Sequence, residues 1–311
     1  MADNYHIPVL AAEVIAGLAI NPDGVYADGT LGGGGHARLI LERLSPHGRL
    51  IGIDRDGDAI AHNADSLSAF ADRLTLVRGN FHDIITILGD LGADKPDGIL
   101  VDLGVSSHQI DSERRGFSYT KPGPLDMRMD TRQSLTAAEV VNTYSEKRIA
   151  EILYIYGEEP FSRPIARAIA EARTAAPIET TDALAAIVAR AVPKIVAVKA
   201  GHPAKKTYMG LRIFVNQEID GLDGALRDMA DVLKPGGRLA VIGFHSAELK
   251  IVKNVFRELA TDCLCDKHAP ICTCGHKATL KIVGKAIAPT PAECQSNPRA
   301  ASAKLWVAQK I

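Results

Sequence analysis

The sequence predicts an α/β fold, a doubly wound and mostly parallel sheet interrupted by an all-helical insertion, and three observations predict it. Residues 1–112 alternate short apolar strand signals with helix signals. Residues 113–212 carry helix signals without a convincing buried strand, and the strand–helix alternation resumes over 213–311. Short apolar strands separated by helices build right-handed βαβ units. The expected organisation is therefore a discontinuous core domain, 1–112 and 213–311, and a helical insertion over 113–212.

The elements follow in order. A helix over Ala11–Leu18 precedes a strand over 24–28 that runs into a glycine loop. A helix over 38–44 stops before Ser45-Pro-His-Gly48, and the second strand reads Arg49-Leu-Ile-Gly-Ile-Asp54. A helix over 58–70 leads to strands over 74–78 and 98–101. Within the insertion, Thr136-Ala-Ala-Glu139 has the capping-box pattern before Val140 and Val141. Pro164 suits the first turn of a helix carrying Ile165 and Ile169, and Thr180 or Thr181 can cap a third helix through Ala189. Leu211, Val215, Ile219, Leu222, Leu226, Met229 and Leu233 are spaced 4, 4, 3, 4, 3 and 4, which predicts one continuous helix. It ends at Lys234-Pro-Gly-Gly237 before a fifth strand over 238–242, and late strands are expected over 279–283 and 304–308.

Composition bounds the function. Apolar residues at 46% and charged residues at 23% exclude global disorder, coiled coil and collagen-like repeats. With 36 basic and 37 acidic residues the net charge is −1, which argues against a wholesale polybasic nucleic-acid binder but allows a local basic face. No apolar run approaches the roughly 18 residues of a membrane span. The opening Met-Ala-Asp-Asn-Tyr-His does not read as a signal peptide, so a cytoplasmic protein is expected. Cys263, Cys265, Cys272, Cys274 and Cys294 crowd the last fifty residues, and an odd count argues against a disulfide framework. Two Cys-x-Cys pairs with His268 and His276 nearby invite a zinc reading. Their gap is shorter than the usual two to four residues, so reduced thiols without a metal are the expectation.

In open α/β sheets ligands bind beyond the carboxyl ends of the strands. Here the first strand ends in Asp28-Gly-Thr-Leu-Gly-Gly-Gly-Gly-His36. Glycines allow close approach to a ligand, but the frame matches neither Gly-x-Gly-x-x-Gly nor a Gly-Lys-Ser/Thr phosphate loop. Asp28 beside the loop disfavours an anion and welcomes a cation or zwitterion. Asp54 ends the second strand, where a carboxylate can accept both ribose hydroxyls. S-adenosylmethionine fits: ribose at Asp54, amino-acid group near the glycines and Asp28, sulfonium between. Taken singly, either aspartate reads equally as a helix cap; the glycine loop at this spacing favours the cofactor.

The fourth strand runs into Asp102-Leu-Gly-Val-Ser-Ser-His-Gln-Ile-Asp111. An exocyclic amine on a base is a poor nucleophile because its lone pair is delocalised into the ring. An acceptor at Asp102 can hydrogen-bond that amine and favour its pyramidal form, while Ser106, Ser107 and Gln109 orient base or cofactor. Downstream, Arg115-Gly-Phe-Ser-Tyr119 and Gly123-Pro-Leu-Asp-Met-Arg-Met-Asp130 offer aromatic and guanidinium groups that either stack a base taken out of its helix or pack a hinge. Between Arg190 and Arg212 stand six basic residues (Arg190, Lys194, Lys199, Lys205, Lys206, Arg212) and no acid, a pattern suited to phosphate contacts or to a solvated face.

These blocks resemble the bacterial small-subunit rRNA (cytosine-N4)-methyltransferase family. The resemblance rests on Asp28 to His36, Asp102 to Asp111 and Arg115 to Asp130, with His6-Ile-Pro-Val-Leu10 near the start. His202-Pro-Ala-Lys-Lys-Thr-Tyr208, Arg212-Ile-Phe-Val-Asn216, Phe244-His-Ser246 and Asn297-Pro-Arg-Ala-Ala-Ser-Ala-Lys-Leu305 extend it over nearly the full chain. It implies a Rossmann-like, class I S-adenosylmethionine-dependent methyltransferase whose insertion recognises RNA. The substrate implied is N4 of a cytidine in the decoding region of 16S rRNA, met as RNA or as the small ribosomal subunit. By motif position it implies cofactor contacts at Gly34, Gly35, His36, Asp54, Phe81, Asp102 and Gln109, with Asp102 also at the amine. Asp102 and Ser106 are the catalytic candidates, and Arg115, Lys199, Lys205, Lys206, Arg212 and His245 the RNA-binding ones. The chain departs from the family where Ser/Thr-Phe-His-Ser-Leu-Glu-Asp-Arg is usual, reading Gly243-Phe-His-Ser-Ala-Glu-Leu-Lys250. The missing hydroxyl and carboxylate bear on substrate geometry and turnover rather than cofactor binding.

Competing readings are an NAD-linked oxidoreductase, against which the glycine frame and Asp28 count, and methylation of an amine in DNA or protein. A catalytically weak RNA-binding or ribosome-assembly factor on the same fold is the alternative that the altered 243–250 loop favours.

Overall fold

The computed structural model describes residues 8–193, 202–266 and 271–311. They form two compact units, 1–104 with 219–311 and the continuous stretch 105–218. The seams thus fall at 104/105 and 218/219, several residues outside the 112/113 and 212/213 boundaries expected from strand signals alone.

In the first unit the chain runs α1 (Ala11–Leu18), β1 (Val25–Asp28), α2 (Gly35–Leu41), β2 (Arg49–Asp54), α3 (Gly57–Ser66), β3 (Leu74–Arg78), α4 (Ile84–Asp90) and β4 (Gly98–Asp102). Helix α2 begins three residues earlier than expected because the glycine loop feeds straight into it. The predicted 58–70 helix is α3 followed by a single 3-10 turn, Ser68–Phe70. The strands join one seven-stranded sheet of order β3-β2-β1-β4-β5-β7-β6. Five are parallel; β7 (Lys304–Lys310) runs antiparallel to both β5 (Arg238–Gly243) and β6 (Leu280–Ile282). Strands covered on both faces read as unbroken apolar runs, as Leu50 to Ile53 does. Alternate residues then feed two cores. Ile99 and Val101 face α4, α11 (Leu222–Val232) and α12 (Ser246–Leu259), whereas Leu100 faces α1 and α2. A short helix, α13 (Pro291–Ser296), precedes β7. The order reverses between β1 and β4, which places the ends of both strands at the position where open α/β sheets bind ligands.

The second unit is helical: α5 (Ser107–Asp111), α6 (Ala137–Thr143), α7 (Glu146–Ile155), α8 (Ser162–Ala172), α9 (Thr181–Ala191) and α10 (Lys205–Asn216). Their apolar faces build a core of their own from Val140, Ile152, Ile165, Ile169, Leu184 and Leu211, among others. Thr136, Ser145 and Thr180 cap α6, α7 and α9 through their hydroxyls. Met127 adopts φ +61°, and Asn216 holds that turn: its amide oxygen accepts the Met129 N–H at 2.7 Å and its amide nitrogen donates to the Met127 carbonyl at 2.7 Å.

The continuous helix expected from Leu211 to Leu233 is two helices. Gln217 at φ +50° ends α10 and Gly221 at φ +77° opens α11. Leu211 and Val215 belong to the core of the second unit, and Leu222, Leu226, Met229 and Leu233 to the first. The link at 217–221 is roughly one and a half helical turns long, so the apolar spacing runs through the break unaltered.

Candidate active site

The loop after β1 is fixed by its own backbone. The Gly29 N–H donates to the Leu100 carbonyl at 2.8 Å, and the Leu31 N–H donates to the Ile53 carbonyl at 3.0 Å, tying the loop to β4 and β2. The Gly32 N–H donates to Asp54 Oδ2 at 2.8 Å, and the Gly32 carbonyl accepts from the buried Asn63 amide at 2.8 Å. Gly34 caps α2 at φ +77°, and a Cβ there would lie 1.8 Å from Asn63 Oδ1. Gly34 is glycine for two independent reasons, conformation and space.

Carboxyl groups gather around this loop. Asp28, 1% exposed, accepts the Thr30 N–H at 3.1 Å; burial outweighs that bond and pushes its pKa up to about 7, with the Asp54 charge adding to the rise. Asp54 is likewise raised by burial, against the Asp56 and Gly32 amides that it accepts at 2.9 and 2.8 Å. Asp102, at the end of β4, is pushed up to about 8 by burial and by the charges of Asp28 and Glu248. Its Oδ2 lies 3.7 Å from His36 Nε2, while its Oδ1 is buried without a hydrogen-bond partner among the described residues. The Asp102 N–H donates to Thr30 Oγ1 at 2.6 Å, tying the two strand ends together.

Glu248 is the residue that the sequence reading missed. It is 1% exposed, accepts the Phe244 N–H at 3.0 Å and pairs with His245 at 2.9 Å. Its signal was the spacing His245-Ser-Ala-Glu248, a capping pattern at the start of α12. Gly243 and Leu249, two of the four positions where the chain departs from the expected family pattern, lie against each other. A Cβ on Gly243 would meet Leu249 Cδ2 at 3.1 Å, so the leucine occupies space that a larger residue at 243 would need.

The other predicted residues separate. Gly35 opens α2 against Pro8, and His36 is buried in the first turn. Phe81 sits beyond β3, 5% exposed, with the Arg55 guanidinium 6.0 Å over its ring. Ser106 and Gln109 lie in the second unit and cap α5 reciprocally: Ser106 Oγ accepts the Gln109 N–H at 3.2 Å and Gln109 Oε1 accepts the Ser106 N–H at 3.0 Å. The capping bonds fix both side chains at the start of α5. Arg115, expected to meet RNA, is 8% exposed and donates to the Arg128 and Met129 carbonyls at 2.9 and 3.0 Å. Arg212 is likewise committed, forked onto the buried Glu218 at 2.8 and 3.0 Å, and His245 to Glu248. Phe117, Leu125 and Met127 are buried in the second unit's core, which decides for packing over base stacking. Lys205 and Lys206 are exposed at the start of α10, Lys206 reaching the Glu158 carbonyl. Tyr119 and His202 stack in the same unit with centroids 4.6 Å apart. Lys194, Lys199, His268 and the first two residues of the opening motif lie outside the described residues. Cys263, Cys265, Cys272 and Cys274, expected as reduced thiols without a metal, bring their sulfurs within 4.8 Å of one another.

The carboxyl-lined end of β1, β2 and β4 fits S-adenosylmethionine. A cluster of buried carboxyls with raised pKa values favours a cation, and a nearby sulfonium would favour their charged forms. Asp102 Oδ1 offers an acceptor with nothing to accept among the described residues.

The family described as MraW methylase matches residues 3–311. A protein of Syntrophus aciditrophicus named ribosomal RNA small subunit methyltransferase H is 49% identical over 309 residues, covering 99% of this chain and 98% of its own. Proteins of the same name from Heliobacterium mobile (49% identical, 99% of each chain) and Fusobacterium nucleatum (48%, 100% of this chain and 98% of the other) are similar to the same extent. Matched along nearly its whole length and carrying this site at the switch point of its sheet, the chain belongs to the MraW methylase family.

Proposed function

We propose that the protein transfers a methyl group from S-adenosylmethionine to N4 of a cytidine in the decoding region of small-subunit (16S) rRNA. The observation that carries the reading is Asp102, a carboxyl at the end of β4 with an unsatisfied buried oxygen and a pKa of about 8, beside a glycine loop and Asp28. The names of full-length relatives near half identity favour an enzyme over an assembly factor that merely kept the fold.

S-adenosylmethionine supplies an electrophilic methyl on a sulfonium. Asp54, already accepting two backbone amides, keeps lone pairs for the ribose hydroxyls. Asp28 balances positive charge beside the glycines, and Phe81 lies on the adenine side. Asp102 Oδ1 accepts an N–H of the target amine, which localises the nitrogen lone pair and prepares it to attack along the carbon–sulfur axis. As the bond forms the amine turns acidic, and an ionised Asp102 takes its proton. His36, 3.7 Å from the other oxygen, steadies that carboxylate. In the second unit Lys205 and Lys206 supply charge for the phosphate backbone and the Tyr119–His202 stack a flat surface for a base. No helix among the described residues is long and apolar enough to cross a membrane, and we place the reaction in the cytoplasm.

The test incubates the protein with methyl-labelled S-adenosylmethionine and small ribosomal subunits from cells lacking the homologous activity, and identifies the labelled nucleoside by mass. N4-methylated cytidine is the expected product. Cofactor binding without label on any ribosomal RNA would overturn the enzymatic reading in favour of an assembly factor.

A further inference from the structure

Between α12 and β6 the chain runs through residues 260–279, and none of the described ones is buried. Leu264 and Ile271 are 48% and 74% exposed. A segment without a core needs another staple to hold one conformation, and a bound metal is the usual one.

The sulfurs supply it. Cys263 and Cys272 are 3.4 Å apart, Cys272 and Cys274 3.6 Å, Cys263 and Cys274 3.8 Å, and Cys265 and Cys272 4.0 Å. Four sulfurs bound tetrahedrally at the zinc–thiolate length stand about 3.8 Å apart along each edge. All four lie within 4.8 Å of one another, a single cluster around one point. A two-iron cluster would split them into two separated pairs. Backbone amides point at the sulfurs as well: the Leu264 N–H donates to Cys274 and the Thr273 N–H to Cys265, both at 3.4 Å, which favours thiolates. Among the described residues nitrogen is absent from this donor set, and His276 Nε2 lies 3.0 Å from the Glu258 carbonyl. Cys294 stands outside the group. Soft thiolates select zinc over the hard cations.

We propose that Cys263, Cys265, Cys272 and Cys274 bind one zinc ion as a tetrathiolate that closes the loop between α12 and β6. The Cys-x-Cys gap, which argued against zinc in the sequence, is no obstacle because the folded segment brings the sulfurs of both pairs to the same point. The site is independent of the methyl-transfer reading, so either can fail alone.

The test uses the full-length protein purified under reducing conditions. Metal analysis is expected to find about one zinc per chain. Titration with a thiol-reactive mercurial is expected to release that zinc as four thiols react, with Cys294 reacting separately. Replacing zinc by cobalt should give the intense visible bands of tetrahedral cobalt–thiolate. Cys272→Ser should lose the zinc and those bands, and Cys294→Ser should keep both. The cobalt spectrum of the unmutated protein makes the test independent of whether Cys272→Ser folds. Metal-free protein that takes up no cobalt, disulfides among the four cysteines, full zinc retention in Cys272→Ser, or iron in place of zinc would each overturn the assignment.

Discussion

Asp54 and Asp102 do different work although both are strand-end aspartates raised by burial. Asp54 spends one lone pair of each oxygen on the Gly32 and Asp56 amides, so it shapes the loop, and in the proposed function it also offers the ribose an acceptor. Asp54→Ala removes both functions, and cofactor binding measured by calorimetry is expected to weaken about 10- to 100-fold. An unchanged Kd would remove the ribose assignment. Asp102 makes no comparable commitment at Oδ1. Asp102→Asn keeps the shape but not the charge, and transfer is expected to slow about 100-fold or more while cofactor affinity moves much less. The two enzymes should also differ in their pH profiles. Only the ionised carboxyl accepts the amine proton, so the unmutated rate climbs as pH rises toward about 8 and then levels. A bound sulfonium moves that midpoint downward, never upward, and the Asn variant has no such limb. An identical profile in both would mean that another group takes the proton.

At the scale of elements, the glycine loop and the first turn of α2 show how local conformation decides function. Gly34→Ala forces φ +77° on an L residue and drives its Cβ into Asn63 Oδ1, so the loop must move. Cofactor binding is expected to be lost, with a stability cost of about 1–2 kcal/mol from the left-handed conformation alone. Gly89→Ala is the control: it lies in α4, nothing stands within 4 Å of its new Cβ, and it should raise stability by about 0.5–1 kcal/mol in thermal denaturation. Had both substitutions behaved alike, the loop geometry would not be what matters. The central strands β1, β2, β4 and β5 were legible because each carries an apolar run, and the switch-point aspartates were legible because they end such runs. Helices α7 and α12 were passed over although their apolar spacing is regular, and Glu248 was passed over with α12. Periodicity also carried the 211–233 stripe through Gln217 and Gly221, since it counts residues and is blind to φ. For Ser106 and Gln109 the sequence offered polar groups after a strand, but could not say that they bond to each other. In the cysteine lobe, linear gaps could not show that Cys263, Cys265, Cys272 and Cys274 gather at one place.

For the whole molecule the consequence is electrostatic. The first unit gathers Asp28, Asp54, Asp102 and Glu248 at one end of its sheet, and burial raises the pKa of Asp28 to about 7 and of Asp102 to about 8. A raised carboxyl pKa means stability that is fully present below the unfolded value and lost as pH rises through the folded one. Without ligand, this unit therefore weakens from about pH 4 toward about pH 8 as the two groups ionise against each other. A cationic ligand reverses the balance because it prefers the ionised site. Below about pH 7 its binding must first expel a proton, at a cost of up to about tenfold in Kd for each pH unit and each proton released. S-adenosylhomocysteine shares the adenosine and the amino-acid group but has no sulfonium. The preference for S-adenosylmethionine over it is therefore expected to grow between about pH 6 and about pH 8.5 and then to level. Calorimetry of both ligands across that range measures the ratio, and the Tm gained with each at saturation follows the same order. Asp102→Asn should flatten the upper part of the curve and leave the part belonging to Asp28. A ratio independent of pH in the unmutated protein would mean that the carboxyl cluster does not face the sulfonium, and the placement of the cofactor across β1 and β4 would have to be redrawn.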